Sequence, residues 1–399
     1  MQVDVQAQRA RWAVAAMFLA NGFVMGAWAP QIPLLMPRHG VTESMLGLLI
    51  LVLGLGAVSA MLFAGRLISL YGGRRVLSLF SLALIPVLPM VVFSPNLWAL
   101  ALFMAVFGAM AGCMDVAMNA QAVEIERRLH KAIMSSSHGF WSLGGFIGGS
   151  AGAWVIAHWG SEVQSLLTAA VVAAMVLVAM PFLLPPAPRG PVAETVATPK
   201  TKLFPKDFHI WLLGFLALFS MVPEGAVLDW AAIYLQKELG SDVFVSGLAF
   251  AFFAGAMAVM RFLGDTVRNR LGAVRTLRLS GFLGAAGLMG GALAPWDWLA
   301  ITSFAVSGLG VANMVPILFS AAGNHPRLPS ANAISIVTMV GYCGILVAPS
   351  TIGFLAEHAG FRPTYAGLAL ILVVVALLAA RAADADARKV LAPAGGQPA

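Results

Sequence analysis

The sequence predicts an all-α membrane protein of twelve transmembrane helices in two six-helix halves, and three observations carry that reading. Of 399 residues, 60% are hydrophobic and 10% charged, against about half apolar and a quarter charged in a soluble domain, so water is not the solvent of this fold. Uncharged apolar runs of roughly 20 residues recur along the whole chain, each long enough to cross a hydrocarbon layer about 30 Å thick. The runs are continuous, whereas barrel strands are shorter and alternate polar with apolar residues.

In chain order the spans fall at 12–36, 44–69, 75–94, 97–124, 135–158 and 162–184, then at 208–237, 243–264, 274–294, 297–320, 330–355 and 362–381. The first run exceeds the apolar core of a cleavable signal, so it remains as a span. Lys and Arg accumulate in cytoplasmic loops, and on this map only Arg38, Lys237 and Arg362 lie on the outer side. Both termini are therefore expected in the cytoplasm. One missed span would invert every later loop and scatter the cations, so the asymmetry also supports the count of twelve.

Residues 185–206, opening Pro185-Pro186-Ala187-Pro188, are polar and proline-rich without apolar periodicity, which reads as a cytoplasmic linker. It separates an N-terminal half, 1–184, from a C-terminal half, 207–381, and residues 382–399 read as a disordered cytoplasmic tail. The net charge of +7 resides in short clusters between apolar runs, without the aromatic-interleaved stripe of a nucleic-acid surface. Cys113 and Cys343 both fall inside spans, so no disulfide framework is expected. No phosphate-binding loop, dinucleotide fingerprint, nucleophile elbow or metal-ligand cluster occurs, which disfavours an ATP-driven pump, a cofactor and an enzyme.

After span two runs Gly65-Arg66-Leu67-Ile68-Ser69-Leu70-Tyr71-Gly72-Gly73-Arg74-Arg75, and after span eight Arg261-Phe262-Leu263-Gly264-Asp265-Thr266-Val267-Arg268-Asn269-Arg270-Leu271-Gly272. Both resemble the cytoplasmic signature loop of the major facilitator superfamily, Gly-x-Leu-x-Asp-Arg-x-Gly-Arg-Arg. The resemblance implies the major facilitator fold, with gating roles for Arg66, Arg74, Arg75, Arg261, Asp265 and Arg268. Its glycines permit a tight turn, and its acid can face arginines and a helix end. The first copy departs from the pattern with Ser69 in place of the acid. Within span four, Gly112-Cys113-Met114-Asp115-Val116-Ala117-Met118-Asn119 resembles a stretch of fucose–proton symporters. Glu224 to Trp230 and His138 to Ser142 resemble a bacterial branch near that family. Span one has no acid between Asp4 and Glu43, where the fucose permease has one, so sugar specificity does not carry over.

An ionisable group in hydrocarbon costs at least ~2.5–3.5 kcal/mol, so intramembrane acids are functional candidates. Asp115 lies mid-span, four residues before Asn119, on one helix face. There it can bind and release a proton as a central cavity faces each side in turn. Glu224 and Asp229 follow Pro223, which favours a kink or local opening. Their spacing separates them by about 140° on an unbroken helix, and Glu224 is the better placed for the cavity. No cation is apparent at matching depth, which favours protonation over ion pairing.

Asn21, Trp28 and Gln31 fall near one face of span one, among Pro30 and Pro33. His138, Trp141, Tyr234, Asn313 and Tyr342 are further candidate lining residues. Gly144, Gly145, Gly148, Gly149 and Gly152 have the small-residue spacing of close helix packing, at the seam between halves. The expectation is a monomer in the bacterial inner membrane that imports a small polar solute with protons, coupling through Asp115 and Glu224. A proton-driven exporter of amphipathic compounds and a non-transporting sensor or scaffold are the competing readings.

Overall fold

The computed structural model describes residues 4–129, 133–185, 207–328 and 330–386. Most of the expected linker (186–206), residues 387–399, and the Asp265 and Tyr342 side chains lie outside the described residues. The first long segment joins α1 (Val5–Trp28), a 3-10 turn (Ala29–Gln31) and α2 (Ile32–His39). The break falls where Pro30 and Pro33 withhold backbone donors. Then come α3 (Glu43–Tyr71), α4 (Gly73–Leu84) and α5 (Val87–Val92) parted at Pro86, α6 (Leu97–Leu129), and α7 (Met134–Ala179). The second half holds α8 (Phe208–Leu239), α9 (Val243–Leu271), α10 (Ala273–Leu293), α11 (Asp297–Val311), α12 (Met314–Gly323), α13 (Ser330–Ala359) and α14 (Phe361–Leu377). Among the described residues there is no strand, and nine segments are long and apolar enough to cross a membrane.

One of those segments, Ser136–Phe182, is 47 residues long and contains Gly160 at φ 86, where α7 leaves the helical conformation. The positive-φ glycines pair across the chain at a spacing of 200 residues: Gly40 with Gly240, Gly72 with Gly272, Gly160 with Gly360. The caps repeat too. Thr42 accepts from Met45 N to start α3, and Asp242 from Val245 N to start α9, both helices being 29 residues long. Each half is thus built in the same register, with glycine wherever a helix ends in a left-handed turn.

Two expectations are corrected. α8 runs helical through Pro223, so the local opening of the helix there does not occur. The tail is folded as far as a 3-10 segment, Leu378–Asp386, where Ala379 and Ala382 are buried and the Asp386 carboxylate accepts from Ala273 N at 2.6 Å.

Packing depends on backbones that meet without side chains between them. A Cβ on Gly144 or Gly148 would strike the backbone of α1 at Leu19 or Phe23, and one on Gly26 would strike Gly145. The opposite face of α7 meets the other half, with Gly149 against Ala251 and Gly139 against the Phe262 ring of α9. The span-five glycines therefore serve both an internal contact and the seam.

The turns at Gly40, Gly160, Gly240 and Gly360 gather at one end, called distal, remote from Asp4 and Asp386. Each of the three cations expected on the outer side meets a carboxylate there. Arg38 pairs with Glu162 at 3.0 Å, Arg362 with Glu238 at 3.3 Å, and Lys237 with Glu43. The last pair joins α8 to α3, and so joins the halves. Beside it the Ser44 N–H donates to Glu357 of α13 at 2.9 Å, and Gly353 packs against the Glu43 backbone and the Trp230 ring.

Gly148→Ala is expected to destabilise the protein by about 1–3 kcal/mol, because the added methyl must displace backbone. Gly65→Ala, with nothing within 4 Å of the new Cβ, is expected to be neutral or slightly stabilising. Thermal unfolding of the two purified variants checks the contrast.

Candidate functional site

The expected pairing of Asp115 with Asn119 on α6 is extended in the structure into a hydrogen-bonded string. Asn119 Nδ2 donates to the Asp115 carbonyl at 2.9 Å and to Asp115 Oδ1 at 3.3 Å. Its Oδ1 lies 3.2 Å from His138 Nε2 on α7, and the amide oxygen can only accept, so the imidazole donates. One turn along α7, Trp141 Nε1 donates to Asn21 Oδ1 of α1 at 2.9 Å, and Asn21 Nδ2 to the Ala111 carbonyl of α6 at 3.4 Å. Five of the residues singled out in the sequence, Asp115, Asn119, His138, Trp141 and Asn21, thus tie three helices of one half together. Asp115 and Asn119 are only half-buried.

A second polar group spans the seam and corrects the expectation that no cation reaches the depth of the span-seven acids. Arg261 of α9, assigned from the sequence to the signature loop, extends Nη1 to Ser142 Oγ of α7 at 2.5 Å. Its Nη2 lies 3.4 Å from Glu224 Oε2 of α8. Glu224 is therefore ion-paired, with side-chain exposures of 16% for the arginine and 27% for the glutamate, low enough that solvent screens the pair only in part. Ser142 and His138 are four residues apart on α7, so the two polar groups share one helix face.

Asp229 lines a cavity between the halves. A space of ≈ 110 Å³ opens between the halves, lined by Met25 and Trp28 of α1, Leu53 of α3, Met221, Gly225 and Asp229 of α8, and Pro349 of α13. Met25 and Gly225, like Trp28 and Leu228, are lining residues 200 positions apart, so the cavity lies where the two repeats face one another. Glu224 does not line it, which reverses the expected order of the two acids.

Other candidates are placed elsewhere. Gln31 is wholly buried, donating to the Ser161 carbonyl at 2.9 Å and to Gln164 at 2.5 Å, inside its own half. The Tyr234 hydroxyl donates to the Gly291 carbonyl at 2.7 Å amid Phe304, Phe361 and Tyr365. Asn313 is buried where α11 gives way to α12, against Gly264. Among the gating candidates, Arg74 donates to the Pro181 carbonyl at 3.1 Å. Arg268 donates to Ser320 at 2.9 Å and to the Ala385 carbonyl at 2.7 Å. Arg66 and Arg75 are exposed. Sequence reasoning passed over Ser142, Met25, Met221 and the Glu43–Lys237 pair; only the acid of that pair, set at a helix start opposite a lysine, carried a readable signal.

Residues 14–332 match the Major Facilitator Superfamily, and the chain belongs to it: a multi-pass membrane protein of a transporter family, not an enzyme. The chain is 35% identical to an uncharacterized MFS-type transporter of Yersinia pestis, over 90% of this chain and 92% of that protein. It is 31% identical to the membrane protein MosC of Rhizobium meliloti, over 91% of this chain and 86% of that one. In fold it is similar to a variant of the nucleoside transporter NupG, with a TM-score of 0.71 at 15% identity over 94% of this chain and 99% of that one. A D-xylose–proton symporter gives 0.69 at 15% identity over 93% and 96%.

A double-mutant cycle with Glu224→Gln and Arg261→Gln, read by thermal unfolding, is expected to give a coupling of about 0.5–3 kcal/mol for groups in contact. Additive effects of the two substitutions would show that the pair contributes nothing.

Proposed function

We propose that the protein is a secondary active transporter that moves a small polar solute together with protons by alternating access. Its twelve spans form halves 1–184 and 207–381, joined by a cytoplasmic linker at 185–206, with both termini in the cytoplasm of a bacterial inner membrane and the monomer as the working unit. The observation that carries the reading is the polar string Asp115–Asn119–His138, next along α7 to the Ser142–Arg261–Glu224 bridge that crosses the seam. A carboxyl so placed can hold a proton or lose it. Losing it adds a negative charge to the string, and α7 carries the change to the contact between halves.

In this account the distal corner of Glu43, Lys237, Ser44 and Glu357 is a gate that parts when the cavity opens outward, and Arg74 and Arg268 steady the opposite ends of the halves. Asn21, Trp28, Asn119, His138 and Trp141 serve the solute; Gln31 and Tyr234, bonded away from the cavity, support the helices around it. The span-four stretch that resembles fucose–proton symporters, and the likeness in fold to a nucleoside transporter and a D-xylose–proton symporter, favour a polar solute and proton coupling. A cavity of ≈ 110 Å³ is small beside the roughly 300–1,000 Å³ of sites for drug-sized ligands, which weighs against an exporter of amphipathic compounds.

Asp115→Asn keeps the shape and removes the titrating group. It is expected to abolish solute accumulation driven by a proton gradient in vesicles while leaving solute exchange in place. Unchanged accumulation would remove Asp115 from the coupling role.

A further inference from the structure

Three carboxylates lie within the apolar spans, and their surroundings differ in one respect. Asp115 accepts a hydrogen bond from Asn119, and Glu224 faces Arg261. Asp229 is 7% exposed, lines the cavity, and has no hydrogen bond or ion pair among the described residues. The Tyr365 hydroxyl is committed to the Ala226 carbonyl at 2.9 Å. An ionised carboxylate withdrawn from water is costly unless a counter-charge meets it. The fold supplies that counter-charge to Glu224 and, among the described residues, leaves it out beside Asp229, which lines a cavity with room for a guest.

The rest of the wall suits a compact cation. Trp28 presents an indole, the aromatic surface that best attracts a positive charge. Met25 and Met221 present polarisable thioethers that adapt to an irregular aliphatic body. The cavity at ≈ 110 Å³ is smaller than the roughly 150 Å³ that accepts benzene, so it holds the amino end of a solute and the few atoms next to it.

We propose that the cavity beside Asp229 binds the protonated amino group of a small polar solute, with Asp229 as its counter-charge and Trp28 covering the adjoining carbon. The inference rests on the transporter reading and names the chemical class of its solute. A small primary amine satisfies the site: its ammonium group meets Asp229 and its aliphatic carbons meet Trp28, Met25 and Met221.

The test is thermal unfolding of the purified full-length protein with two matched pairs of compounds, 3-amino-1,2-propanediol with glycerol and glucosamine with glucose. At least one amine is expected to raise the unfolding temperature by several degrees at saturation. Its uncharged partner is expected to have at most a tenth of that effect, and Asp229→Asn to remove it. Equal stabilisation by amine and alcohol, retained in Asp229→Asn, overturns the amine site but leaves a polar-solute transporter standing. No stabilisation by either amine overturns the site, while Asp115-dependent accumulation tests the transporter reading separately. Where Asp229→Asn does not fold, the amine-against-alcohol contrast in the unaltered protein decides the matter.

Discussion

A charge inside a hydrocarbon layer has to find its partner within the protein, and the arrangement of this molecule follows from how its few intramembrane charges do so. Arg261 and Glu224 solve the problem for each other across the seam, and in doing so make the contact between halves polar as well as apolar. Asp115 is held by a neutral amide, Asn119, which accommodates either protonation state. Asp229 has no hydrogen bond or ion pair among the described residues. Each solution makes a different demand on the rest of the chain: a contact between halves that can break, a carboxyl that can titrate, and a cavity that can be filled.

These demands converge on α7. Its glycines let it lie against α1 with backbones almost touching on one face and against the side chains of Ala251, Ala254 and Phe262 of α9 on the other, so it belongs structurally to both halves. His138 and Ser142 stand one turn apart on it, one bonded toward Asp115 through Asn119 and the other toward Arg261. A helix packed this closely moves as a body, because a close-packed interface has few intermediate positions. In the proposed mechanism, proton binding in one half is thereby linked to the seam. In the same proposal, the distal corner, where Lys237 meets Glu43 and Glu357 meets Ser44, holds the other end of the interface shut.

Much of this was legible in the sequence. The apolar runs, the cation asymmetry and the doubled signature loop located the helices, and the i, i+4 spacing of Asp115 and Asn119 located the polar string. The repeat register was present in the chain as glycines 200 residues apart, although only backbone angles show what those glycines share. Gln31 was misplaced because the 3-10 turn at Ala29–Gln31 adds about 60° to the helical phase, at 120° rather than 100° per residue. Tyr234 found its partner in Gly291, a carbonyl in the last turn of α10, where carbonyls lack the i+4 donor of the helix interior; no sequence spacing announces that meeting. Arg261 was counted with its loop because its motif placed it there, whereas its side chain extends into the seam.

The central claim is that the halves part at the distal corner to open the cavity outward. The direct measurement is the labelling rate of Met25→Cys, in a Cys343→Ser background, by a membrane-impermeant maleimide applied from the outer face, with Lys237 intact and with Lys237→Ala. Met25 lines the cavity, and Cys343 is the exposed native thiol. Slow but measurable labelling is expected in the first protein and labelling several-fold faster in the second, with slower labelling from the inner face. No labelling from the outer face in either, or equal rates in both, would contradict it.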